Sequence, residues 1–175
     1  ECTELEFLEC NNSPITGPIP KGIGNCTKLK KINLHDTKIS GPLPKSIGEC
    51  TQLTKVWLYK TEVSGCLPET IGNCKRLENL ELSNTQIEGI IPESIGKCVS
   101  MEKLNMYSTN LSGPIPKSIG NLVNMHTLWL NGTNISGPIP DSIGNCTKLR
   151  DLNIHSSSLS GAIPNSIGNC TLLEN

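Results

Sequence analysis

The sequence predicts an α/β solenoid: a right-handed superhelix of stacked coils, with a parallel β-sheet on its concave side and short helical or 3-10 turns on its convex side. Three observations predict it. Gly recurs at 17, 41, 65, 89, 113, 137 and 161, and Pro at 20, 44, 68, 92, 116, 140 and 164, always 24 residues apart. An Ile-Gly pair beginning at Ile23, Ile47, Ile71, Ile95, Ile119, Ile143 and Ile167 keeps the same step without an insertion. Each copy also carries one short stretch in which apolar and other residues alternate, as at Leu128, Trp129 and Leu130.

The alternating stretch comes first in each copy and predicts a strand with one face in and one face out. Such strands should centre near residues 8, 32, 56, 80, 104, 128 and 152. At about 4.8 Å per strand they make a parallel sheet roughly 30 Å across. The Gly-x-Ile-Pro that follows turns the chain. Pro then heads a short helical or 3-10 turn, where the first N–H groups lack partners anyway. The Gly after Ile is expected to leave that turn at positive φ. One coil cannot bury its own apolar side, so neighbours must stack and share a continuous core.

Composition narrows the function. With 175 residues and a formal charge of −1, the chain lacks the net basic footprint that nucleic acid requires. No apolar run is long enough to insert directly into a membrane, and no signal peptide is visible. The sequence opens on Glu1 rather than Met and stops inside the repeated unit. It therefore reads as a single domain over residues 1–175, about seven coils of 24 residues, forming part of a longer chain.

The unit "LSGPIPKSIGN" from Leu111 to Asn121, following the L-x-x-L-x-L order, resembles the plant-specific class of leucine-rich repeat. That class occurs in receptor-kinase ectodomains and polygalacturonase-inhibiting proteins. The resemblance covers nearly the whole chain and implies a leucine-rich-repeat superhelix that binds protein or peptide. It departs from the family where Ser13, Thr37, Thr61, Thr85, Thr109, Thr133 and Ser157 stand in place of the usual Asn. In the family that Asn points inward and bonds the backbone of adjacent coils. A Thr hydroxyl can do part of this, so the column is expected to be a structural ladder. Ice binding by the threonines is a remote alternative, because a single column set where the family points inward makes a poor template for water.

Cys2, Cys26, Cys50, Cys74, Cys98, Cys146 and Cys170 share one column, with Leu122 in the remaining slot. Leu in that slot marks it as buried and apolar, so a ladder of reduced, unbridged thiols is expected. Cys10 occupies a strand leucine position and should be core; Cys66 replaces a Pro of the turn and is the cysteine expected to be exposed. C-x₂-C zinc spacing is missing, and no metal site is expected. Sequons occur at Asn11, Asn25, Asn110, Asn131, Asn134, Asn145 and Asn169. Part of this is an echo of the repeat, but it favours an extracellular or secretory-pathway location with N-linked glycan.

Variation is concentrated on the outward strand positions. The two Trp, two Tyr and one Phe all fall in the three columns facing the groove. Binding residues are therefore sought at Lys31, His35, Lys55, Trp57, Tyr59, Glu81, Tyr107, Trp129, Asn131 and His155. Aromatic side chains on such positions suit binding hot spots, though they also cover neighbours across any sheet. The lysines read either as a solvated face or as a match for an acidic patch on a partner. His35 and His155 stand five coils apart, roughly 24 Å, too far for a dyad or a shared metal. No P-loop, G-x-S-x-G or H-E-x-x-H is present, so neither an enzyme nor a cofactor is expected. The reading is a non-catalytic module that binds protein or peptide on its concave face, with a structural scaffold subunit as the alternative.

Overall fold

A computed structural model describes residues 2–175. Three-residue strands at Phe7–Glu9, Lys31–Asn33, Lys55–Trp57, Asn79–Glu81, Lys103–Asn105, Thr127–Trp129 and Asp151–Asn153 form one parallel seven-stranded concave sheet. Their centres are the expected ones, and residues 24 apart pair directly, as Ile32 does with Val56. A second parallel seven-stranded sheet runs beside it, built from strands such as Lys38–Pro42, Glu62–Cys66 and Gln86–Gly89. It was not expected. Its register is stepped, pairing Gly41 with Val63 and Gly65 with Ile87.

Each coil is closed by a five-residue 3-10 turn, such as Lys45–Glu49, entered through an extended Pro at φ −68°. Hydrogen bonds then step by three residues: the Ile47 N–H donates to Pro44 O, Cys50 to Ile47 and Leu53 to Cys50. Side chains three apart eclipse in such a turn, so Ile47, Cys50 and Leu53 all point inward and are wholly enclosed.

The glycines divide their duties differently from the sequence expectation. Positive φ belongs to the column from Gly17 to Gly161, for example Gly41 at 75° and Gly65 at 71°, and to Gly132, which precedes Thr133. Among the described residues, the Gly after Ile never takes it. That glycine answers to the next coil instead: a Cβ on Gly96 would lie 2.5 Å from the Ser118 carbonyl oxygen. Stacking distance, not turn geometry, excludes a side chain there.

The cysteine column is buried from Cys26 to Cys170, and none of these thiols is bridged. Each thiol from Cys50 onward donates to the Ile carbonyl of an earlier turn, as Cys98 Sγ does to Ile71 O at 3.3 Å. Burial pushes the Cys74 and Cys98 thiols up to about 12. Two expectations fail at the end of the stack: Cys2 and Cys10 are exposed. Both lie in the outermost coil, which has a neighbour on one side only. Cys66 is exposed, as expected.

The Thr column is buried, with Thr85 at 7 % exposure, so it offers no face to ice. Its bonding is also not the inter-coil ladder expected. The Thr85 hydroxyl donates to Leu82 O at 2.6 Å, within its own coil, and receives the Ile87 N–H at 3.5 Å. The residue before each Thr takes the left-handed conformation, for example Asn84 at φ 53°. The hydroxyl thus fastens the bend that carries the chain from the first sheet into the second.

Candidate functional site

Alternation in the concave strands sends Ile32, Val56, Leu80, Leu104 and Leu128 into the core and leaves the residues on either side facing the groove. There the expected side chains gather into two clusters rather than one continuous stripe.

The first cluster lies on the strands Lys31–Asn33 and Lys55–Trp57 and the residues just after them. The Lys31 ammonium sits 4.4 Å from the centroid of the Trp57 ring, and that of Lys55 at 5.8 Å. His35 stacks on Tyr59 with centroids 4.3 Å apart and planes 8° from parallel. His35 Nδ1 lies 2.9 Å from an Asp36 carboxylate oxygen, and Lys60 is 3.6 Å from the other. The His35 hydrogen bond first, then the Lys60 charge, holds the Asp36 carboxyl below its usual range against the opposing effect of burial. Burial first, and the Asp36 and Glu81 charges next, raise the Tyr59 hydroxyl.

The second cluster joins Tyr107 and Trp129, tilted at 59° with centroids 6.5 Å apart. Lys103 caps Trp129 at 5.1 Å and pairs with Glu81 at 2.7 Å. Asn84 Nδ2 donates to the Tyr107 hydroxyl at 2.8 Å. Glu81 also accepts from Asn105 Nδ2 at 2.8 Å and is largely enclosed. It is held within the protein rather than presented to a ligand. Asn131 and His155 join neither cluster: Asn131 is half-buried, and the exposed His155 lies 2.9 Å from its own neighbour Ser156.

These tryptophans and tyrosines are half-buried rather than bare; Phe7, in the end coil, is 54 % exposed. Covering of neighbours across the sheet therefore accounts for part of their placement. Lys103, Asp36 and Asn105 are not among the candidate binding residues, although all complete the clusters; Lys60, one of the lysines expected on or beside the groove, completes the first through Asp36. The signal for Lys103 was present, since it stands one coil beyond Glu81 and two positions earlier in the repeat. Of the sequons, Asn25, Asn110, Asn134, Asn145 and Asn169 are exposed, and Asn11 and Asn131 are half-buried. Among the described residues no group of three or more metal-ligating side chains converges, and no helix is long and apolar enough to cross a membrane.

A sequence profile described as Leucine Rich Repeat matches residues 4–26, 28–50, 76–98, 100–122, 124–146 and 148–170. The chain belongs to the leucine-rich-repeat family. The intervening coil, which carries Trp57 and Tyr59, follows the same course, with its strand at Lys55–Trp57 and its turn at Glu69–Asn73. No curated protein sequence matches the chain. Among solved structures, a TDR receptor superposes with a TM-score of 0.93 at 29% identity, covering 97% of this chain and 29% of its own. The Arabidopsis receptor kinase HAESA, in complex with the peptide hormone IDA and the co-receptor SERK1, gives 0.85 at 27% identity, over 97% of this chain and 32% of its own. A plant ice-binding protein gives 0.76 at 20% identity, over 89% and 57%; at that identity the likeness is one of fold. This leucine-rich-repeat chain thus spans about a third of the length of those receptors.

Proposed function

We propose that this leucine-rich-repeat chain is a non-catalytic, extracellular recognition module that takes an extended peptide or a protein edge along its concave sheet. One observation carries the reading: the aromatic side chains of the groove form two lysine-capped clusters on an otherwise polar sheet. Trp57 and Trp129 stand three coils apart, about 14 Å. That separation suits an extended backbone better than a small metabolite. Large rigid rings bury much area at little entropic cost, and they are already positioned by the cation–π and stacking contacts. The receptor ectodomains of the same fold, one of them holding a peptide hormone, support the reading.

The test begins with peptides selected from a random dodecamer library against the native protein. Trp57→Ala or Trp129→Ala should cost about 2 kcal/mol or more of binding, roughly 30-fold, with little change in melting temperature. Lys117→Ala and Asp141→Ala, on the convex side, should leave affinity unchanged. Loss of binding in the convex set with silent groove tryptophans would refute the concave-face reading. It would favour the scaffold alternative, for which the exposed outer residues Ile90 and Ile163 are the natural contacts.

A further inference from the structure

We propose that Lys55 and the side chains around it form a carboxylate-binding position, so that a ligand of the concave face carries an acidic group at its Trp57 end. The proposal rests on the recognition reading above and names the chemistry of one of its contacts.

The argument comes from the register of the ion pairs. Lys31 is held by Glu9 of the preceding coil at 2.5 Å, and Lys103 by Glu81 of its preceding coil at 2.7 Å. In both pairs the carboxylate lies 22 residues before the lysine. The same step from Lys55 arrives at Asn33, a neutral side chain. Among the described residues no carboxylate lies within 4.0 Å of the Lys55 ammonium. The remaining groove lysine, Lys60, has Asp36.

Other groups at this place also lack partners. Asn33 is 6 % exposed, and its Oδ1 has no hydrogen-bond partner. Trp57 Nε1 and Asn79 Oδ1, on the two strands following that of Asn33, are likewise enclosed and unpaired. A buried polar atom without a partner is costly. Asn79 pairs with Lys55 across the sheet and Asn33 with Trp57. Of these three groups the Trp57 indole N–H is the one that can donate to an anion, the two amide oxygens being acceptors. A ligand carboxylate meeting Lys55 would restore the pairing that Glu9 and Glu81 supply elsewhere on the sheet. With Lys31 paired to Glu9 and Lys60 to Asp36, Lys55 leaves this cluster with an excess of one positive charge, whereas Lys103 and Glu81 balance each other in the second. That excess favours an anion at Lys55.

The two tryptophans give two indole N–H signals, so nuclear magnetic resonance can separate the clusters, with Trp129→Phe assigning them. The probes are acetylated hexaglutamate amide, acetylated hexaglutamine amide and acetylated hexaglutamine with a free C-terminus. The hexaglutamate should shift the Trp57 signal and bind at least about 5-fold tighter than the hexaglutamine amide. Shifts with the free-acid hexaglutamine would identify a chain-terminal carboxylate as sufficient; their absence would assign the contact to acidic side chains.

Lys55→Gln should remove the preference for the anionic peptide. Asn33→Glu should do the same by giving Lys55 an internal partner in the register of Glu9. The proposal is overturned if neither indole moves at millimolar peptide, if Trp129 responds instead, or if both substitutions leave the preference intact. Should it fail while library peptides still depend on Trp57 and Trp129, the recognition reading stands and only the acidic contact is lost. Library peptides insensitive to every groove substitution would remove the recognition reading itself.

Discussion

The sharpest stability test lies in the glycine that follows Ile in each 3-10 turn. Gly96→Ala would place a Cβ 2.5 Å from both the carbonyl oxygen and the Cβ of Ser118 in the next coil. That is about 1 Å short of an ordinary contact. The obstacle is largely backbone, so it cannot be relieved by rotating a side chain; the stack must open. Forcing extra volume into a packed interior costs about 1–3 kcal/mol. Against this, Ala restricts the unfolded chain and returns about 0.4–1 kcal/mol wherever the native φ permits it, as it does here. Gly168→Ala supplies the control. It occupies the same column in the last coil, where nothing lies within 4 Å of the added atom. Urea unfolding should therefore show Gly96→Ala destabilised by about 1–2 kcal/mol. The melting point should fall by about 2–4 °C for each kcal/mol. Gly168→Ala should be neutral or slightly stabilising. If the two variants behave alike, close coil stacking is not what requires the glycine.

The cysteines should divide by position: native thiol titration should find Cys2, Cys10 and Cys66 reactive, while Cys26 and the buried column behind it react only after unfolding. Because burial raises the folded thiols at Cys74 and Cys98 from 9.0 to about 12, the protonated form is favoured in the native state. Their contribution is therefore complete below pH 9 and is lost as the pH rises toward about 12. Urea midpoints measured across that range should fall less steeply for Cys74→Ala than for the parent; equal slopes would count against it. Thr85→Val keeps the shape but removes the hydroxyl that bonds Leu82 O, and should cost about 1–2 kcal/mol in the same unfolding assay.

The sequence by itself determined the coil, because a 24-residue step and a two-residue alternation are both local. Placing Leu104 in the core and Lys103 beside the groove requires nothing beyond the pleat of a strand. It also marked Trp57, Tyr59, Tyr107 and Trp129 as groove residues, since every aromatic residue fell in an outward column. What only the tertiary structure decided arises between coils. The second sheet is built from stretches such as Lys-Ile-Ser-Gly-Pro at Lys38–Pro42, whose Gly and Pro carry little strand preference. They become strands because neighbouring coils supply their hydrogen bonds. Cys2 and Cys10 have the residue type of the core but lack a second neighbour to cover them. The unpaired state of Lys55 follows from Asn33, a residue 22 positions away whose relevance appears only once two coils are stacked in register. Contacts across the stack depend on inter-coil spacing and side-chain reach, and neither quantity is written in the repeat that generates them.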